Sequence, residues 1–185
     1  MTPVESYIYL QWVGNGEVEE DMLEQVKDHL EQTFSLPVRI RQVTARPQGA
    51  LDPARGQYSS TKILRWVLQD VPWDAGKILS LTDCDLFIPV LTFVFGEAQL
   101  GGRGALVSTA RLRADLNGLP IPPRICRERL LKECTHELGH TFGLIHCSSS
   151  YCAMSRSNTV LDVDGKSGRF CRGCLGSLKR LQAKE

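Results

Sequence analysis

Hydrophobic positions along the chain predict strands that are separated by helices. Four segments show the alternation or the short apolar runs that are typical of strands, and they cover residues 7–13, 37–43, 85–95 and 102–112. Two segments repeat apolar residues at helical spacing, and they cover residues 17–34 and 60–69. Ser59 or Ser60 can cap the second helix, and residues 44–58, which hold two prolines and two glycines, predict a loop. Strands alternating with helices favour an α/β fold around a twisted sheet.

A further helix is predicted over residues 124–142, and it carries two different faces. One stripe at 100° per residue is apolar, and it consists of Leu130, Leu131, Cys134, Leu138 and Phe142. His136 and His140 lie on the opposite face. One side of this helix can therefore pack on the sheet while the other side lines a cleft.

The sequence HELGHTFGLIH, from His136 to His146, has the spacing of a catalytic zinc site. His136 and His140 are four residues apart, so that a helix places both imidazoles on one face within reach of one metal ion. Gly143 can end the helix in a left-handed conformation and turn the chain so that His146 becomes the third ligand. Three neutral imidazoles leave zinc one open coordination position, and Glu137 can then act as the general base that activates a water molecule for peptide hydrolysis.

Four of the seven cysteines fall close together behind this motif, as Cys147, Cys152, Cys171 and Cys174. Two short-spaced pairs of thiolates are typical of a closed, tetrahedral, structural zinc site. The alternative is a set of reduced thiols or of occasional disulfides. The other three cysteines, Cys84, Cys126 and Cys134, lie among apolar residues and are interpreted as small buried hydrophobes.

Other parts of the sequence carry less chemistry. His29 lies on the polar side of the first helix and is interpreted as a solvated surface residue, and residues 161–168 predict a turn. The formal net charge is +1, which gives no sign of an electrostatic attraction to nucleic acid or anionic lipid. Residues 1–13 lack the basic start of a secretory signal, and the apolar residues 86–95 are too few for a membrane helix of ~20 residues. We therefore expect a monomeric cytoplasmic protein without nucleic-acid or membrane partners.

The run HELGHTFGLIHCSSSYCAM, followed by CRGC, closely resembles the archaemetzincins, a family of zinc proteases in the metzincin clan. The family pattern is H-E-x-x-H-x-x-G-x-x-H-C-x4-C-x-M followed by a distal C-x-x-C. All ten fixed positions are present, and they are His136, Glu137, His140, Gly143, His146, Cys147, Cys152, Met154, Cys171 and Cys174. This match covers residues 136–174 directly, and the upstream helices and strands agree with it in order and length.

The resemblance implies a metzincin-like fold, in which a twisted mixed sheet with backing helices and an active-site helix precedes a small C-terminal subdomain held by zinc. It implies two zinc ions per chain, one catalytic and one structural, and a peptidase with modest or aminopeptidase-like activity. Met154 would form an apolar floor under the catalytic zinc, although its spacing alone fits an ordinary core residue. The strand at residues 104–110 would be the edge along which a peptide substrate pairs, although its sequence fits an internal strand equally well.

We accordingly expect one catalytic domain over residues 1–185. Its N-terminal subdomain, residues 1–143, would end with the active-site helix, and residues 144–185 would form the C-terminal subdomain with the four cysteines. Two other functions stay open at this point. The protein could be a zinc-containing peptide-binding or structural module with negligible turnover, which the presence of Glu137 disfavours. It could also be a metal-dependent endoribonuclease, a class that shares the three-histidine spacing but uses neither that glutamate nor a four-cysteine cluster.

Overall fold

A computed structural model of the chain describes residues 6–14, 20–43 and 47–184. Eight strands are present in it, and they are β1 (Tyr7–Val13), β2 (Val38–Val43), β3 (Leu51–Asp52), β4 (Gln57–Ser59), β5 (Ala75–Thr82), β6 (Leu86–Phe87), β7 (Gly96–Ala98) and β8 (Gly104–Ser108). Five α-helices accompany them, and they are α1 (Glu20–Phe34), α2 (Ser60–Val67), α3 (Pro123–Thr141), α4 (Val160–Gly165) and α5 (Arg172–Gln182).

The main sheet has five strands in the order β2-β1-β5-β8-β7. The first four are parallel to one another, and β7 pairs antiparallel with β8. The short strands β3, β4 and β6 form a second sheet. The predicted α/β class with a twisted mixed sheet is therefore confirmed.

Helices cover both faces of the main sheet. Residues of α1 and α3 share one hydrophobic cluster with one face, as the burial of Leu30, Leu138 and Val107 illustrates. On the other face α2 packs through Ile63 and Leu64. The first of these clusters also contains residues of the C-terminal segment, which are Leu144, Cys152, Met154, Val160, Val163 and Leu178. The division into subdomains at residue 143 stays a prediction.

The structure corrects the expectation about the substrate-pairing strand. The segment 104–110 supplies β8, which lies between β5 and β7 and is therefore internal. The border strand next to β8 is β7, which is only three residues long and contains Gly96, while β2 forms the opposite border. A strand this short has too few residues for an alternating pattern, so the hydrophobic periodicity did not reveal it.

Several local predictions can also be compared with the structure. Ser59 caps α2 by accepting a hydrogen bond from the backbone N–H of Lys62, which confirms one of the two predicted caps.

The predicted loop at residues 44–58 is only partly described, because residues 44–46 lie outside the described residues, as do residues 17–19 of the first predicted helix. Residues 47–58 contain β3 and most of β4 rather than a continuous loop. Residues 85–95 form β6 and a single bridge between Leu86 and Val94. The turn predicted at residues 161–168 is instead mostly α4, whose first turn is stabilised by reciprocal hydrogen bonds between Thr159 and Asp162.

The prediction that His29 is solvated is wrong. Its ring is half-buried between α1 and α3, and its Nε2 lies 2.8 Å from Oγ1 of Thr135. The Thr135 hydroxyl donates its own proton to the carbonyl of Leu131, so the His29 ring is the donor to Thr135. Burial, followed by the charge of Arg169, lowers the pKa of His29.

Within the described ranges, none of the helices combines the length and the apolar character that a membrane crossing requires.

Candidate active site

The helix α3 and the turn that follows it bring the three histidines together. The helix ends at a C-cap residue, Phe142, and Gly143 follows with φ of +94°, a conformation that glycine adopts without steric cost. The backbone N–H of Leu144 donates to the carbonyl of Gly139, which closes the turn. As a result one ring nitrogen each of His136, His140 and His146 lies within 4.8 Å of the others.

Two of these imidazoles are oriented by backbone carbonyls. Nδ1 of His136 lies 2.8 Å from the carbonyl oxygen of Ala153, and Nδ1 of His140 lies 2.7 Å from that of Leu144. A carbonyl only accepts, so each Nδ1 carries the proton and donates it. In each neutral ring the Nε2 atom then carries a lone pair, and the two Nε2 atoms are 3.1 Å apart.

This donor arrangement fits a zinc ion. Two lone pairs that face each other at 3.1 Å repel unless a cation lies between them. Two Zn–N bonds of about 2.0–2.1 Å that meet at a tetrahedral angle place their nitrogens about 3.3 Å apart, close to the observed separation. Burial is the largest cause that lowers the pKa of all three histidines, and it lowers that of His136 to about 2. The neutral form of the imidazole, which is the form that binds metal, is therefore favoured.

Glu137 lies beside the histidines and is almost fully buried, with 7% of its surface exposed. It lines a cavity of about 450 Å³ together with His136 and His146, and Phe93 and Phe95 contribute an apolar wall. Burial and then the Glu133 carboxylate raise the pKa of Glu137 well above its usual range, and Lys166 acts in the opposite direction. A carboxylate whose pKa is raised towards neutral pH can both accept and return a proton.

Gly96 of the border strand β7 lies against Glu137. A β-carbon at this position would stand 2.6 Å from Cγ of Glu137 and 2.6 Å from the carbonyl oxygen of Leu106. Only a residue without a side chain fits between β8 and the glutamate. The backbone of β7 thus borders the cleft directly at Glu137.

Met154 is completely buried below the active-site helix. Its sulfur atom would lie 2.6 Å from a β-carbon built on Gly139, one residue before His140. The turn that contains Met154 also supplies the Ala153 carbonyl that orients His136. Whether Met154 acts as a floor under a metal, beyond its place in the core, stays a prediction.

The four clustered cysteines also converge. Their sulfur atoms lie within 4.8 Å of one another, and Sγ of Cys147 is 3.8 Å from Sγ of Cys171. Four ligands at a Zn–S distance of about 2.3 Å in a tetrahedron would be separated by about 3.8 Å. Cys171 is also the N-cap of α5 and accepts a hydrogen bond from the backbone N–H of Cys174, which is the largest cause that lowers the pKa of Cys171 to about 7. The donor set therefore fits a zinc ion as well.

The remaining cysteines lie outside both groups. Cys84 and Cys134 are buried among apolar side chains, as predicted. Cys126 is only half-buried, and burial is the main cause that raises the pKa of its thiol.

Sequence reasoning missed two charged residues beside the histidines, Glu133 and Lys166. They form an ion pair of 2.8 Å in which both side chains are buried. The position of Glu133, one helical turn before Glu137 on the same face, was a usable signal. Lys166 gave no such signal, because the contact that buries it comes from a helix 33 residues earlier in the chain.

The chain is similar to known proteins along nearly its whole length. The sequence pattern of Peptidase family M54 matches residues 14–180. The chain is 39% identical to the archaemetzincin of Methanocaldococcus jannaschii over 164 residues, which are 89% of each protein. The crystal structure of the archaemetzincin from Methanopyrus kandleri superposes with a TM-score of 0.85 at 35% identity, and the alignment covers 99% of this chain and 98% of that one.

A second solved structure extends the same result. The zinc-dependent peptidase from Methanocorpusculum labreanum has a TM-score of 0.79 at 30% identity, with 92% of this chain and 99% of that chain covered. Sequence pattern, relatives and structures agree with the resemblance carried by the histidine and cysteine motifs. The chain therefore belongs to Peptidase family M54, the archaemetzincins, and is a zinc metallopeptidase.

Proposed function

We propose that His136, His140 and His146 hold the catalytic zinc of this peptidase and that Glu137 is its general base. The observation that carries the proposal is the pair of Nε2 atoms 3.1 Å apart, whose opposite ring nitrogens both donate to backbone carbonyls. This arrangement leaves metal-binding lone pairs pointing at one place, and Glu137 lines the cavity that His136 and His146 also line. When bound there, zinc supplies the positive charge that polarises a peptide carbonyl and makes a water molecule acidic.

Proton transfer is then the task of Glu137. Its carboxylate accepts the proton of the attacking water and returns it to the amine that leaves when the peptide bond breaks. Burial supports this role because it raises the pKa of the carboxyl, which makes the carboxylate a stronger base than an exposed one. The fixed carbonyl contacts of His136 and His140 hold the ligands so that the base and the substrate stay aligned.

We propose that the substrate is an extended peptide that pairs with the border strand β7. This strand carries Gly96 against Glu137, so a peptide added along it would pass the base. The apolar wall of Phe93 and Phe95 in the adjoining cavity favours an apolar side chain next to the cleaved bond. Aminopeptidase-like action, which the family resemblance implies, predicts that single residues are released from the peptide N-terminus.

A second zinc ion is proposed at Cys147, Cys152, Cys171 and Cys174, where it would be structural. Four thiolates leave no open position for substrate. Since Cys147 follows His146 directly, a metal at the cysteines would also hold the third histidine in place. The expected composition is two zinc ions in a monomer, which native mass spectrometry can measure.

The test of the proposed base is Glu137→Gln. The amide keeps the shape of the side chain but cannot accept the proton, so the rate should fall by on the order of 10²–10⁴ while zinc content is retained. Wild type, Glu137→Gln and the control Glu128→Gln should be compared on internally quenched peptides and on aminoacyl substrates. Glu128 is exposed on the same helix and should be replaceable without effect. A Glu137→Gln protein that cleaves as fast as wild type would show that another group is the base.

A further inference from the structure

Lys166 is a buried ammonium next to the candidate zinc ligands. Its side chain is 1% exposed, and its Nζ lies 2.8 Å from Oε1 of Glu133, whose side chain is 3% exposed. The same Nζ lies 3.3 Å from the carbonyl oxygen of Ser155 and 3.4 Å from Nδ1 of His136. A buried charge is unfavourable unless it is paired, so Lys166 is held at this place by Glu133.

The contacts of Lys166 join α3 to the turn formed by residues 153–155. Glu133 is on α3, three residues before His136, and Ser155 is the last residue of the turn. The first residue of that turn is Ala153, whose carbonyl accepts the hydrogen bond from His136 Nδ1. Lys166 thus holds one end of the turn while the other end sets the orientation of the His136 ring.

We propose that the Lys166–Glu133 ion pair is a positioning unit for the metal site. The ion pair fastens the 153–155 turn to α3. Through the carbonyl of Ala153, this turn then keeps Nε2 of His136 pointed at Nε2 of His140. This inference rests on the proposed role of His136 as a zinc ligand. Groups that orient a metal-binding histidine typically change metal affinity by about 10–100-fold when they are removed.

A neighbouring ion pair provides a matched control. Arg129 donates two hydrogen bonds of 2.7 Å to the carboxylate of Asp164. Arg129 lies on α3, as Glu133 does, and Asp164 lies on α4, whose C-cap residue is Lys166. Among the described residues, no hydrogen bond or ion pair joins the side chain of Arg129 or Asp164 to a histidine or to the 153–155 turn. Asp164→Asn therefore loosens the link between α3 and α4 but leaves the orientation of His136 intact.

The decisive variant replaces both charges, as Glu133→Leu/Lys166→Met. Removing one partner of a buried ion pair is strongly destabilising, whereas replacing both with apolar groups of similar size leaves the fold close to wild-type stability. The net charge is also unchanged. The double variant consequently separates the stability of the pair from its effect on the histidines.

Two readouts are needed in addition to thermal unfolding. The first is the zinc affinity of the histidine site, measured by competition with a chromogenic chelator while the cysteine site stays filled. The second is the visible absorption spectrum after cobalt replaces the zinc at the three histidines, because this spectrum depends on the ligand geometry. We expect affinity to fall by about 10–100-fold and the cobalt spectrum to change in the double variant, with both unchanged in Asp164→Asn.

Wild-type affinity and an unchanged cobalt spectrum in a folded double variant would overturn the proposal. If that double variant does not fold, Glu133→Gln/Lys166→Met decides by the same readouts, because it also removes both charges and keeps the shape of both side chains. His136→Ala distinguishes a wrong positioning role of the ion pair from a wrong assignment of the zinc ligands. If His136→Ala leaves the zinc affinity measured for the histidine site unchanged, the ligand assignment itself is wrong. If it lowers that affinity and the double variant does not, only the positioning role is wrong.

Discussion

Gly96 and Glu137 are packed so closely that a β-carbon on the glycine would stand 2.6 Å from Cγ of the glutamate. The border strand of the sheet and the proposed base are therefore fitted to each other. The backbone of Leu106 closes the space around Gly96 as well, since its carbonyl oxygen would also stand 2.6 Å from that β-carbon. The position of Glu137 depends on the absence of a side chain at residue 96.

The first prediction is that Gly96→Ala lowers the catalytic rate but not the zinc content. The methyl group must push Glu137 or the β7 backbone aside, and a displacement of about 1 Å in a catalytic group can cost on the order of 10² in rate. The measurement is kcat on a fluorogenic peptide together with metal analysis. Gly49→Ala is the matched control, because a β-carbon there meets nothing within 4 Å. Equal rates for the two variants would show that Glu137 tolerates the added group.

The second prediction concerns the cysteine site. Cys171→Ser removes one proposed thiolate ligand, and the sulfur of this residue also caps α5. The protein should lose the structural zinc, unfold at a lower temperature and hold the histidine zinc more weakly, since His146 adjoins Cys147. Zinc per chain and thermal unfolding are the measurements, with the half-buried Cys126→Ser as control. Two zinc ions and a wild-type unfolding temperature in Cys171→Ser would contradict the assignment.

The third prediction is a pH effect that comes from His29. Burial lowers its pKa in the folded protein below the ordinary value of 6.5, so the unfolded chain takes up a proton more readily than the folded one. The contribution to stability is therefore complete above about pH 6.5 and is lost as the pH falls below it. In urea unfolding, wild type should lose stability more steeply than His29→Gln, which can still donate to Thr135, as the pH falls from about 6.5 to 5.5. Equal slopes for the two proteins would show that His29 has an ordinary pKa.

The sequence predicted those parts of the site that depend on local spacing. His136, Glu137 and His140 fall within five residues of a helix, and Gly143 marks its end, so helical geometry alone brings the histidines to one face. Two residues whose environment depends on distant segments were not predicted correctly. His29 is covered because α1 packs against α3, and Lys166 is buried because α3 supplies Glu133.

Strand pairing shows the same limit. The hydrophobic pattern located the strand at Gly104–Ser108 but could not tell whether its neighbour on the outer side was solvent or another strand. That neighbour is β7, which has only three residues and includes a glycine. Which strands pair is decided by contacts between side chains of neighbouring strands. The sequence of a strand as short as β7 does not predict these contacts.

The most direct test of the proposed zinc sites is a crystal structure with diffraction data on both sides of the zinc absorption edge. Two anomalous peaks per chain are expected. One should lie about 2.0–2.1 Å from a ring nitrogen of each of His136, His140 and His146, with an open ligand position on the side of Glu137, and the other about 2.3 Å from the four sulfur atoms. A chain without a peak among the three histidines, or with Glu137 itself bound to that metal, would contradict the assignment of catalytic zinc and base.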